Sequence, residues 1–148
     1  MRYMGLDIGD RRIGVALSDE CLLTSQPLGV VHRSNLAEEL QAIKNLVDHH
    51  DVSTVVVGLP RNMNGTLGPQ AEKVLAYVDE LARFLPIRVV TWDERLTTMQ
   101  VERLLISADV RRKRRKEVVD KLAASLILEG YMAFEKRDAP LDDGPGYT

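Results

Sequence analysis

The chain has 148 residues, 45% of them apolar, which suits one compact domain better than two. Lys and Arg total 20 against 22 Asp and Glu, a net charge of −2, so any nucleic-acid site has to be a local patch. A single cysteine, Cys21, excludes an internal disulfide framework and a Cys-based zinc cluster. The acid at Asp7 comes too early for a signal-peptide core, and no apolar run nears the roughly 20 residues that span a bilayer; the expectation is a soluble, cytoplasmic protein.

In chain order, residues 2–8 and 12–18 read as two strands. The turn Gly9-Asp10-Arg11-Arg12 between them is short enough to require an antiparallel hairpin. A third strand is expected over Pro27 to His32. The period then changes, and Leu36, Leu40, Ile43 and Val47 mark one face of a helix. Val55-Val56-Val57 is the β-branched run of a strand buried on both faces. Pro69 opens a second helix carrying Val74, Leu75, Val78, Leu81 and Ala82, and Ile87 to Thr91 is expected as a fifth strand. Thr97-Thr98-Met99-Gln100 has the form of a capping box, predicting a third helix with Val101, Leu104, Leu105 and Ala108. A last helix is expected from about Val118, carrying Val119, Leu122, Ala123, Leu126 and Ile127. From Arg137 onward the chain has little to bury and is expected as a disordered tail. The order predicts an α/β fold: a mixed five-stranded sheet, an antiparallel meander followed by parallel strands, with helices on both faces.

Three acids stand out. Strand alternation puts Met4, Leu6 and Ile8 on one face of the hairpin and Asp7 on the other, among Gly5, Gly14, Ala16 and Ser18. A carboxylate within a strand is costly without a partner, so Asp7 either pairs with Arg11 or Arg12 or faces a substrate. Glu94 falls just past a strand end, where open α/β sheets place ligands, and is otherwise a solvated acid or a partner of Arg95. Asp120 sits one turn before Ala123 and Ala124, whose small side chains let a helix approach the sheet closely. Its alternative role is to favour the helix macrodipole; Glu117 is a weaker fourth candidate. Converging carboxylates without His or Cys suit hard cations, Mg²⁺ or Mn²⁺, and two such ions can activate a water against a phosphodiester. His32, His49 and His50 fit no metal spacing and are assigned structural roles.

Residues 111–121 carry seven basic side chains, among them Arg112, Lys113, Arg114 and Arg115, against Glu117 and Asp120. That segment is +5 in a chain whose remainder is −7. Such runs are usually solvated loops, but this one leads straight into the helix of Asp120 and can hold a phosphate backbone. The loop Gly58 to Thr66 offers Arg61 and Asn side chains for phosphate or bases, though an ordinary turn uses the same residues.

Four stretches then match a known family. They are Leu6-Asp7-Ile8-Gly9-Asp10-Arg11-Arg12-Ile13-Gly14-Val15-Ala16-Leu17-Ser18-Asp19; Val57-Gly58-Leu59-Pro60 with Met63, Gly65 and Gly68; Asp93-Glu94-Arg95-Leu96-Thr97-Thr98; and Asp120-Lys121-Leu122-Ala123-Ala124. In this order and spacing, over residues 1–136, they resemble the YqgF/RuvX family, described both as Holliday-junction resolvases and as pre-16S ribosomal RNA nucleases. The resemblance implies an RNase H-like nuclease domain over residues 1–136, with 137–148 as the tail. It also implies divalent-metal-dependent phosphodiester hydrolysis in maturing the 5′ end of small-subunit ribosomal RNA. It carries metal binding and catalysis to Asp7, Glu94 and Asp120, and substrate contact to Arg95, Arg12, Arg61 and Asn62. The fourth strand ends in Gly-Leu-Pro where RuvC resolvases place a glutamate, and Ala123 stands where they have a further acid. Structured RNA is therefore the favoured partner, ahead of a DNA junction, with ribosome-assembly factors as further candidates. The chain is expected as a monomer or weak homodimer that does not bind membranes. Outside this reading stand a non-catalytic nucleic-acid-binding module and, from the Asp-x-Gly hairpin, a sugar-kinase-type ATPase, for which 148 residues supply only one of two lobes.

Overall fold

The computed structural model describes the backbone of residues 1–95 and 112–138, with side chains over residues 1–95 and 122–136. Five strands form one sheet: β1 (Arg2–Ile8), β2 (Arg12–Ser18), β3 (Ser25–His32), β4 (Val52–Leu59) and β5 (Arg88–Asp93), in the spatial order β3-β2-β1-β4-β5. The first three pair antiparallel as a meander, whereas β4 and β5 add in parallel to β1. Helices α1 (Leu36–His49) and α2 (Pro69–Phe84) supply the crossovers that parallel pairing requires. The remaining described helix, α3, spans Arg112–Asp138.

Alternation along the hairpin separates two apolar layers. Met4, Leu6, Ile8, Ile13 and Val15 pack with Ile43 and Val47 of α1 and Val74 and Leu81 of α2. Tyr3, Ala16 and Val56 face the other way, onto Ala124, Ile127, Leu128 and Tyr131 of α3. Strand β4 is sandwiched, with Val55 and Val57 in the first layer and Val56 in the second, as its unbroken β-branched run predicts. Helix α3 comes onto the strand backbone at Gly5, where a Cβ would lie 2.5 Å from the Ala124 carbonyl oxygen. The helix thus rests on strand backbone, the approach that Ala123 and Ala124 predict.

Local chemistry sets the ends. Asn35 caps α1 by accepting the Glu38 N–H at 3.0 Å, and Pro69 occupies the first turn of α2. Edge strand β3 is blunted by Pro27 and by a register irregularity opposite Val15/Ala16, two devices that discourage a further strand from adding.

Several boundaries move from the sequence expectation. Strand β3 begins two residues earlier, at Ser25, and β5 runs on to Asp93. Helix α3 begins at Arg112 instead of near Val118, so the basic run expected as a loop is helical in its backbone. Arg and Lys are good helix formers, and no Gly or Pro interrupts the stretch. The helix expected from Thr97, with Val101, Leu104, Leu105 and Ala108, lies outside the described residues; Arg137 and Asp138, the first two residues of the expected tail, continue α3 as helix, and the rest of that tail lies outside the described residues. Among the described residues no helix is long and apolar enough to cross a membrane.

Candidate active site

Because β1, β4 and β5 are parallel, their C-terminal ends meet at one rim of the sheet. Asp7 is the penultimate residue of β1 and projects to the α3 face. A Cβ on its partner Gly14 would lie 3.7 Å from the Asp7 Cβ and 3.8 Å from the Ala124 Cβ, so strand, hairpin and helix converge around this carboxyl. Glu94 follows directly on β5, at the point where the chain turns from strand into helix. Its side chain folds back over Gly58 of β4, where a Cβ would stand 2.8 Å from Glu94 Cγ and would collide with Ile127 Cδ1. The absent side chain at Gly58 makes the space for the Glu94 carboxyl.

Asp7 and Glu94 meet there through a side-chain hydrogen bond. Burial first, then the adjacent Asp7 charge and that hydrogen bond, push the Glu94 carboxyl up to about 7. Two carboxyls that close hold a proton between them unless a cation replaces it. An all-oxygen donor pair with raised proton affinity fits a hard divalent ion better than a soft one. No group of three such donors occurs among the described residues. The third acid of the expected set, Asp120, is on α3 one turn before Ala124, and its side chain lies outside the described residues.

The other expected contacts are placed unequally. Arg12 is exposed at the start of β2, on the face that carries Gly14. Arg61 and Asn62 lie in the loop after β4, where the Asn62 N–H donates to the Thr66 carbonyl at 3.0 Å and its Nδ2 to Thr66 Oγ1 at 3.0 Å. Arg95 is paired with Asp93, its Nη2 donating to Oδ2 at 2.7 Å, rather than with Glu94. That bond, ahead of the opposing effect of burial, holds the Asp93 carboxyl below the usual carboxylate range. Arg112, Lys113, Arg114 and Arg115 are on the first turns of α3, and their side chains lie outside the described residues. Sequence reasoning passed over Asp93 as a partner and Gly58 as the wall behind Glu94. Strand parity carried through to Asp93 was the available signal for both, since it sets residues 93 and 94 on opposite sides.

Residues 1–133 match the RuvX family model, whose description is Holliday junction resolvase. A relative from Carboxydothermus hydrogenoformans, named "Putative pre-16S rRNA nuclease", is 53% identical over 138 residues, covering 93% of this chain and all of the relative. One of the same name from Halothermothrix orenii is 51% identical over 93% of this chain and 98% of its own. Among solved structures, Thermus thermophilus RuvC bound to a Holliday junction superposes with a TM-score of 0.59 at 15% identity, covering 94% of this chain and 98% of that one. The RuvC likeness bears on the fold, which is RNase H-like as the sequence motifs imply.

Proposed function

The chain belongs to the RuvX family, and from that premise we propose that it is a metal-dependent nuclease that trims the 5′ end of the small-subunit ribosomal RNA precursor. The observation that carries this reading is the Asp7–Glu94 carboxyl pair, assembled at the C-terminal ends of parallel strands. We assign the activity to a domain spanning residues 1–136, acting in the cytoplasm where such a precursor is made.

In this reading Asp7 and Glu94 hold the divalent ion, Mg²⁺ or Mn²⁺, and Asp120 completes the donor set for a second one. The bound ions supply Lewis acidity, activating water and stabilising the leaving oxygen of the phosphodiester. Asp7 and Glu94 would hold the ion as carboxylates, so the proton that Glu94 retains up to a pH of about 7 would have to be released for binding. Gly58 backs the Glu94 side chain on the sheet side, and Ile127 of α3 closes on the same point. Arg61 and the basic first turns of α3 are the groups assigned to the phosphate backbone.

A cleavage assay with Mg²⁺ or Mn²⁺ on precursor ribosomal RNA and on a four-way DNA junction tests this, comparing wild type with Asp7→Asn and a chelator control. Metal-dependent RNA cutting that Asp7→Asn loses while still binding RNA is the expected result. Cutting of the junction alone would replace the RNA reading with the resolvase that the family description names. Undiminished cutting by Asp7→Asn would remove the site assignment. Adding an immature ribosomal subunit as substrate reveals whether assembly factors present the RNA.

A further inference from the structure

We propose that Arg95 is a positioning residue: locked onto Asp93, it docks the 61–66 loop against the end of β5 and so presents Arg61 and Met63 to a substrate strand at the Asp7–Glu94 pair. The proposal rests on the nuclease reading of that pair.

The guanidinium is committed inside the protein. Its Nε lies 3.1 and 3.0 Å from the two carboxylate oxygens of Asp93, and Nη2 is 2.7 Å from Oδ2. The Arg95 backbone N–H adds a bond to Oδ1 at 3.0 Å, so side chain and main chain are fixed by one acid. The outward edge of the fork then donates from Nη1 to the Met63 carbonyl at 3.2 Å. Asp93 offsets the positive charge at close range, which leaves Arg95 a weak attractor of phosphate and a good structural fork.

The loop it holds is bonded within itself. Gly65, at φ +88°, a backbone conformation that favours glycine, donates its N–H to the Asn62 carbonyl at 2.8 Å. Asn64 Oδ1 accepts from Thr66 N–H at 3.1 Å and from Thr66 Oγ1 at 2.7 Å. The Asn62 carboxamide fills the space over Gly68, 3.2 Å from where a Cβ would be. Such a unit moves as a body, so one charge-assisted bond to Met63 sets its position. Its exposed side chains are Met63, 74% exposed, and Arg61, whose Nη1 also donates to the Gly65 carbonyl at 3.3 Å, so the cation is held on the same unit. A cation beside an adaptable apolar side chain suits a phosphate next to an unstacked base.

Arg95→Ala and Arg95→Lys separate this role from direct phosphate contact. Lysine keeps the charge but cannot span a carboxylate and a carbonyl with one planar fork. The full chain is compared by amide hydrogen exchange at Asn62, Gly65 and Thr66, and by the salt dependence of binding to a single-stranded RNA oligonucleotide. Both variants are expected to exchange about tenfold faster in the loop and to bind more weakly, with the salt slope unchanged. Unchanged exchange in Arg95→Ala would overturn the docking role. A salt slope shallower by about one in Arg95→Ala, restored in Arg95→Lys, would make Arg95 a phosphate contact and overturn it too. A wild type that binds no RNA would overturn the nuclease reading and the presentation of a strand, whereas the exchange comparison judges the docking on its own.

Discussion

Glu94 lies so close over Gly58 that a single methyl group at residue 58 would stand 2.9 Å from the Glu94 carboxyl carbon. The carboxyl's place is therefore set by the absence of a side chain on the neighbouring strand. Gly58→Ala tests this. The atoms it meets, Glu94 Cγ and Cδ and Ile127 Cδ1, belong to side chains that can rotate, so the stability cost should be about 1–2 kcal/mol. Cleavage should fall by more than tenfold, because Glu94 has to leave Asp7. Steady-state cleavage beside a thermal melt checks the pairing of a small loss with a large one; equal activity would separate Glu94 from the chemistry.

The raised Glu94 carboxyl makes a pH prediction with a definite sign. A carboxyl ordinarily near 4.5 but held up to about 7 binds its proton more tightly in the folded state. Stability should therefore fall as pH rises through that window, by up to about 3 kcal/mol, and level off above it. Asp7→Asn removes the neighbouring charge and should be the more stable protein at pH 8, with the gap closing by pH 5. Mg²⁺ competes with the same proton, so the rise in melting temperature it produces in wild type should grow between pH 6 and 8 and shrink in Asp7→Asn. Chemical denaturation across pH, with and without Mg²⁺, reads both effects without any cleavage.

On the opposite face of the sheet, Glu39 is a buried acid of a different kind. Burial raises its carboxyl, but bonds from Ser34 N–H at 2.8 Å, Tyr77 OH at 2.9 Å and Arg33 Nε at 3.1 Å outweigh that, and the net direction is down. A depressed carboxylate contributes stability above its ordinary value and loses it as pH falls through the folded one. Glu39→Gln should therefore cost about 2 kcal/mol at pH 7, and less at pH 3. Melting curves at the two pH values check it; the same loss at both would make the contribution one of shape.

Much of this was legible in residue order because it depends on period two and on chain-local chemistry. Tyr3, Gly5 and Asp7 alternate with Met4, Leu6 and Ile8, which assigned Asp7 to the small-residue face, and Ala123 and Ala124 announced a closely seated helix. Glu39 was not legible as a buried acid, although it lies one turn before Ile43 on the inward side of α1. Its partners Arg33 and Tyr77 come from a strand exit and another helix, and only the assembled fold brings them together. The exchange of Arg95 from Glu94 to Asp93 was missed for a different, local reason: the strand was expected to stop at Thr91. Adjacent acids are equivalent in composition, and the two extra residues of β5 decide which one points at the arginine.

The sheet keeps its two apolar layers apart, and the carboxyl pair belongs to only one of them. The larger layer, beneath α1 and α2, owes nothing to Asp7 or Glu94. Shape and chemistry are thus free to diverge in descent. On the proposed reading, a lineage could exchange a carboxyl for an amide, keep the same silhouette and the same hold on its substrate, and become a binding protein in one mutational step.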